Sequence, residues 1–252
     1  SYDVLATSGD THLGGEDIDN ALVDFAAKEF KKATKIDIRN EKYLRQLAIL
    51  KLECEKVKCA LAAPGTVQQK LQIRSFVDGK DLDINITRAA FEFIVDEIFN
   101  KIHDPIETVF DDLSDEMGKD IDPKTFVTDV IMVGGSSKIP YVAKKLEEHF
   151  GRKPIFGVNP DTAVASGAAM YAASLTGATK GFKVNENLEG AEKPDKPPGL
   201  IVLIDPSKIT DVVPLSLGIE VDSGEMSVII KNNTSVPHSE TKTYTTVKDY
   251  QT

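Results

Sequence analysis

Three places in this chain have residues suited to chemistry: a double glycine at Gly134-Gly135, a second at Gly14-Gly15, and the pair Glu55 and Lys58. The first lies in Thr128 to Pro140, read Thr-Asp-Val-Ile-Met-Val-Gly-Gly-Ser-Ser-Lys-Ile-Pro. Val130 to Val133 is a short unbroken apolar run, the pattern of a strand buried on both faces. Gly134 and Gly135 let the backbone turn sharply and leave no Cβ to block a ligand. Ile139, Val142, Leu146 and Phe150 then recur at helical spacing, with Pro140 suited to a first turn. Strand, double glycine and helix N-terminus together bind nucleotides in α/β proteins, because free N–H groups and bare backbone face a crevice. Taken alone, Gly-Gly is more often a plain tight turn.

The second double glycine follows Gly9-Asp10-Thr11-His12-Leu13 and opens a helix. Glu16, Asp17 and Asp19 crowd its first turn, where carboxylates suit the helix dipole. His12 has the chemistry of a base or a ligand. No second His or Cys sits at metal-ligand spacing, so a structural role is the simpler reading. Glu55 and Lys58 share a face with Ala62 on a later helix. By themselves they make a solvated ion pair three residues apart, worth roughly a few tenths of a kcal/mol. The chain contains no Walker A sequence, no Gly-x-Gly-x-x-Gly and no His-Glu-x-x-His.

With 252 residues, 41% hydrophobic and 28% charged, the chain can bury a sizeable core in one or two domains. A net charge of −10 without a basic patch argues against a nucleic-acid partner. No apolar run approaches the ~20 residues of a membrane-spanning helix. Cys54 and Cys59 lie on one predicted helix at a spacing that does not suit a disulfide, so nothing argues for secretion. The expected compartment is the cytoplasm, with the endoplasmic reticulum or an organelle left open. The opening Ser-Tyr-Asp-Val-Leu is strand-like and has no initiator Met, which reads as a piece of something larger.

These residues need a scaffold, and the pattern predicts one. Asp3 to Thr7 reads as a strand. Ile18, Leu22, Phe25 and Phe30 stripe a helix ending near Lys35, and Leu44, Leu47, Leu50, Cys54, Val57 and Leu61 stripe a second over Glu41 to Ala62. Gln68 to Val77 and Leu82 to Ile86 flank an Asp78-Gly79 hairpin turn. Thr87 caps a long helix faced by Phe91, Ile94, Ile98, Ile102, Ile106, Val109 and Leu113, with a kink at Pro105. An acidic loop, Asp115 to Lys124, follows. Ile155 to Val158 reads as a short strand, and Asn159-Pro160-Asp161 caps a helix whose small residues suit close packing. Residues 178–213 read as a linker, and 214–252 as a β segment with strands at Leu215 to Val221, Met226 to Lys231 and Thr241 to Val247.

Four blocks occur in order: Gly-Asp-Thr-His-Leu-Gly-Gly-Glu-Asp-Ile-Asp-Asn, Val-Gly-Gly-Ser-Ser-Lys-Ile-Pro, Asn-Pro-Asp-Thr-Ala-Val-Ala-Ser-Gly-Ala-Ala and Val-Pro-Leu-Ser-Leu-Gly-Ile-Glu. Together they resemble the seventy-kilodalton heat-shock chaperones, the DnaK family, over nearly the whole chain. The resemblance implies an α/β fold: residues 1–177 as the second lobe of an actin-like, ribonuclease H-like ATPase domain, with an outlying part at about 16–117. The linker and the first strands of a peptide-binding β-sandwich would follow. It implies ATP or ADP as cofactor, with the adenosine on this lobe. Gly15 would lie near the sugar, Glu55 and Lys58 on the ribose-facing helix, Gly134, Gly135 and Ser136 under the nucleotide, Ile139 beside the base, and Asp161 at the rear.

Three departures stand out. The family usually has arginines at the positions of Cys59 and Lys138, whose planes sandwich the adenine, and a serine at the position of Ala62. Lysine has no plane to stack and cysteine has neither charge nor plane. Adenine affinity is therefore expected to be weak. The family's phosphate loops, catalytic lysine and magnesium-site acids have no counterpart here, so magnesium would bind only with the missing lobe and no catalytic residue is assigned. The expected function is one part of an ATP-dependent chaperone that binds and releases unfolded peptides, with nucleotide-exchange factors and J-domain co-chaperones as partners, unable to hydrolyse ATP unaided. A non-enzymatic protein that binds co-chaperones without nucleotide is the alternative. Another actin-like ATPase, such as a sugar kinase, would leave Val213 to Glu220 and the later strands unexplained.

Overall fold

The computed structural model describes residues 2–157, 159–175 and 209–245. In chain order the elements begin β1 (Tyr2–Asp3), α1 (Gly15–Thr34), α2 (Leu44–Ala62), β2 (Gln68–Val77), β3 (Lys80–Thr87), α3 (Arg88–Asn100) and α4 (His103–Met117). They continue α5 (Pro123–Phe126), α6 (Pro140–Phe150), α7 (Ala163–Leu175), β4 (Ile209–Val212), β5 (Leu217–Glu220), β6 (Met226–Ile230) and β7 (Ser235–Val236). Short 3-10 turns at Glu41–Tyr43 and Gly135–Lys138 precede α2 and α6. The described residues are mixed α/β and divide into two compact units. A hairpin unit holds 10–106 and 122–163; a sheet unit holds the described residues up to 9, 107–121 and those from 164 on.

In the hairpin unit, helices pack on the face of a two-stranded antiparallel sheet. α1 buries Ile18, Leu22, Val23, Ala26, Ala27 and Phe30 and ends with Lys35 in the left-handed conformation. α2 buries Leu50, Cys54, Val57 and Leu61. Its stripe starts later than expected, because Leu44 is 66% exposed. β2 and β3 contribute Leu71, Phe76, Val77, Leu82 and Ile86 to the same core. Asp78 and Gly79 both have positive φ (51° and 73°), as the expected hairpin turn of type I′ requires.

Several expectations need correction here. Thr87 does cap α3, its Oγ1 accepting from the Ala90 N–H at 3.2 Å. But the long kinked helix is two helices, since Pro105 lacks an N–H and its ring crowds the carbonyl of Lys101. The buried face of α3 is Phe91, Val95 and Phe99, with Ile94, Ile98 and Ile102 only partly buried beside it. The acidic loop is shorter than expected: α4 runs on to Met117, and Asp122 caps α5. Finally, Val130 to Val133 is not a strand buried on both faces. Ile131 makes a single parallel bridge to Ile155, and Ile131 and Val133 are 61% and 49% exposed while Met132 is buried. An apolar run becomes a strand buried on both faces only where it lies in a sheet with packed layers covering both sides; among the described residues Ile155 alone pairs with it. The Ile155 to Val158 strand likewise reduces to this bridge, with Val158 outside the described residues.

In the sheet unit, β1 pairs parallel with β4, which pairs antiparallel with β7. The expected Asp3 to Thr7 strand is brief. After β1 the Val4 N–H still reaches Thr210 O at 2.9 Å, but the Thr7 N–H turns to Asn233 Oδ1 at 3.0 Å. Asn233 and Asn232 both donate to Asp112 Oδ2, at 2.7 and 2.9 Å. β5 and β6 fall within two of the expected strands and pair as an antiparallel hairpin. Gly218 sits at its bulge, where a Cβ would stand 2.4 Å from Ser227 O. β4 falls inside the stretch read as linker, and the rest of that stretch up to residue 208 lies outside the described residues. Thr241–Thr245 is not a strand; its end at Val247 is outside the described residues. Of the small residues of α7, Ala165, Ser166, Gly167, Ala168 and Ala169 are exposed among the described residues, while Ala173 is buried.

Candidate nucleotide-binding site

The hairpin unit brings one face of α2, the Gly134 turn and the loop bearing Asp161 around a cavity of about 340 Å³. Glu55, Lys58, Gly135, Ser136, Lys138, Ile139 and Asp161 line it, together with Cys59 and Ala62. Local chemistry places each of them. Glu55, Lys58, Cys59 and Ala62 recur at helical spacing on the side of α2 away from Leu50, Cys54 and Leu61. Gly134 has φ 85°, a positive value that favours glycine, and turns the chain into the 3-10 segment. The Gly134 N–H donates to Pro160 O at 2.8 Å, which ties this turn to the loop bearing Asp161. Asn159 Oδ1 in turn accepts from the Asp161 N–H at 3.0 Å. Ser137 closes the turn by donating to Gly134 O at 2.6 Å.

Gly15 and Gly134 stand beside the cavity rather than in its wall. A Cβ on Gly15 would come within 3.2 Å of both Lys58 Nζ and Ser136 Oγ, so the helix start, the lysine and the serine converge there. Ile139 is 3% exposed and forms part of the floor. All nine sequence-derived site residues thus gather at one place, although they come from four separate stretches of chain.

The Glu55 and Lys58 pairing read from the sequence is not what holds Lys58. Its Nζ donates to Asp19 Oδ2 at 2.8 Å and to Gly15 O at 3.0 Å. Asp19 is 6% exposed, and burial pushes its carboxyl above the usual value against the opposing pull of Lys58. Sequence reasoning placed Asp19 with the first-turn carboxylates. The available signal was its position one residue after Ile18 and three before Leu22, inside the apolar stripe, where a carboxylate needs a buried cation. Across the cavity Lys138 Nζ pairs with Asp161. Cys59 is exposed, whereas burial pushes the Cys54 thiol up to about 12. The His12 side chain stands 93% exposed, and its backbone N–H donates to Asp10 Oδ1 at 2.7 Å.

An apolar cavity of about 370 Å³ lies elsewhere in the hairpin unit, lined by residues such as Leu13, Ile98, Ile102, Ile131, Val133 and Leu146. It has no ionisable side chain in its lining and is the poorer candidate for recognising a polar ligand. Among the described residues no three His, Cys, Asp or Glu side chains group to hold a metal ion, and no helix is long and apolar enough to cross a membrane.

The protein is thus of mixed α/β type, with a small polar cavity at a glycine turn before a helix. The Hsp70 protein family profile matches residues 1–188 and 201–252. The chain is 38% identical over 251 residues to Heat shock 70 kDa protein 2 of Paracoccidioides lutzii, spanning 99% of this chain and 34% of that protein. It is 37% identical over 250 residues to a Heat shock 70 kDa protein of Penicillium citrinum, 99% of this chain and 44% of the relative. With Heat shock cognate 70 kDa protein 3 of Dictyostelium discoideum it shares 38% over 252 residues, 99% of this chain and 35% of that protein. The chain belongs to the Hsp70 family. It spans only about a third of the first of these relatives.

Proposed function

We propose that this chain carries the adenosine-binding side of an ATP-dependent peptide chaperone. The observation that carries the reading is the convergence of Glu55, Lys58, Gly135, Ser136, Lys138, Ile139 and Asp161 on one cavity. At about 340 Å³ it falls within the range typical of small-molecule sites. Glu55 suits a ribose hydroxyl as acceptor, Lys58 as donor, and the bare backbone of Gly135 allows close approach. In this reading residues 1–177 are the second lobe of an actin-like domain, and the β5–β6 hairpin belongs to the start of a peptide-binding segment. Phosphoryl transfer needs metal and donors around the γ-phosphate, and the residues gathered here suit the nucleoside instead. The chain therefore binds ADP without hydrolysing ATP by itself, and exchange factors and J-domain co-chaperones are its expected partners, in the cytoplasm.

Isothermal titration with ADP and with adenosine, with and without magnesium, tests this. Similar weak binding of both, indifferent to magnesium, is the expected result. No heat from a folded chain refutes it. That outcome would favour the second reading, a co-chaperone-binding protein without nucleotide. The mutual pairing of Lys138 and Asp161 speaks for that reading, since each satisfies the other.

A further inference from the structure

We propose that His103 and His149 form a site for one divalent transition-metal ion. Both belong to the hairpin unit. His103 opens α4, and His149 lies in the last turn of α6. Their Nδ1 atoms stand 3.2 Å apart, and the rings are tilted at 42° with centroids 5.1 Å apart. Two imidazole nitrogens this close can share a proton. They also match a metal bite. A tetrahedral ion with metal–nitrogen bonds of about 2.0–2.1 Å holds two ligand nitrogens roughly 3.3–3.4 Å apart. The observed 3.2 Å spacing lies within about 0.2 Å of that.

The surroundings leave room for the other ligands. His103 and His149 line a cavity of about 400 Å³ with Asp122, Pro123, Lys124 and Glu148. The carboxylates of Asp122 and Glu148 offset part of the ion's charge, and Lys124 opposes it. Among the described residues no third His, Cys, Asp or Glu joins the pair closely enough to complete a three-ligand cluster. Water fills the remaining positions, and the affinity is modest. Imidazole selects zinc, copper or nickel over magnesium, so the ion that accompanies nucleotides is not the one bound here. Bound metal would fasten the start of α4 to the end of α6, so it stabilises the hairpin unit without touching the nucleotide cavity.

The test uses the whole chain carrying Cys59→Ser, which removes the exposed thiol as a rival ligand. Zinc and nickel are titrated calorimetrically, with magnesium as control, into this protein and into the same protein with His103→Gln or His149→Gln. The expected result is one zinc per chain, no magnesium binding, and at least about a tenfold weaker zinc affinity in each histidine variant. Zinc should raise the melting temperature of the parent only. Should a variant fold poorly, diethyl pyrocarbonate labelling of the parent, mapped by mass spectrometry, decides: zinc must protect His103 and His149. Equal zinc affinity in parent and both variants, no zinc binding by the parent, or no protection of these two histidines overturns the proposal.

Discussion

Lys58 Nζ lies 2.8 Å from Asp19 Oδ2, with the two side chains 14% and 9% exposed, so this ion pair is buried between α1 and α2. Among the described residues Asp19 Oδ1 has no hydrogen-bond partner. A pair of this kind adds little net stability over an apolar pair, but losing one member strands a buried charge. Asp19→Ala should therefore cost about 3–5 kcal/mol in urea unfolding. Asp19→Leu with Lys58→Met should recover much of that loss. A single variant as stable as the parent would show that Lys58 finds other partners.

Asp96 should control part of the acid limb of stability. It accepts from Tyr141 Oη at 2.5 Å and pairs with Lys145 Nζ at 3.0 Å, linking α3 to α6. The Tyr141 hydrogen bond, and then that of Lys145, hold its carboxyl below the ordinary 3.8. A lowered carboxyl contributes stability above its unfolded value, and that stability is lost as pH falls through the folded value. Asp96→Asn should thus be less stable than the parent near neutrality, and the gap should close below about pH 4. Thermal melts across that range decide it; a gap independent of pH would mean the carboxylate's charge plays no part.

The two cysteines should differ sharply in reactivity. Burial keeps Cys54 a thiol at any physiological pH, its value pushed up to about 12, while Cys59 is exposed at the edge of the cavity. An Ellman titration of the native chain should show one fast thiol, absent in Cys59→Ser, and two after denaturation. Adenosine should slow the fast one, because Cys59 lines the proposed site. Labelling unaffected by saturating adenosine would count against that placement.

Restoring a guanidinium plane should tighten nucleoside binding. Lys138→Arg supplies a planar cation able to stack on a base, worth about 0.5–1 kcal/mol at an exposed site, or roughly two- to fivefold in affinity. Cys59→Arg with Lys138→Arg should gain more than either alone. No gain from the double variant, in a chain that still binds adenosine, would mean the base does not lie between these positions.

Local pattern alone settled much of the scaffold. The α1 stripe from Ile18 to Phe30, the Asp78-Gly79 turn, the Thr87 cap and the β5–β6 hairpin follow from residue types a few positions apart. The ordered motif blocks also pointed to the family that the relatives support. What pattern could not supply was the identity of distant neighbours. Val130 to Val133 has the composition of a buried strand, yet one bridge to Ile155 is all the pairing it makes among the described residues. β4 and β7 are four and two residues long, too short to announce themselves before they meet β1 and each other.

Sequence by itself determined which family the chain belongs to and which turns and helices carry its motif blocks, because helix periodicity, glycine conformation and turn chemistry act over a few residues. Only the tertiary structure decided that Lys58 answers to Asp19 rather than to Glu55, that Lys138 closes on Asp161, and that His103 meets His149. Each of these is a contact across 23 to 46 residues of chain. Burial and charge pairing are properties of the packed neighbourhood, and that neighbourhood exists only once α1, α2, α4 and α6 have come together.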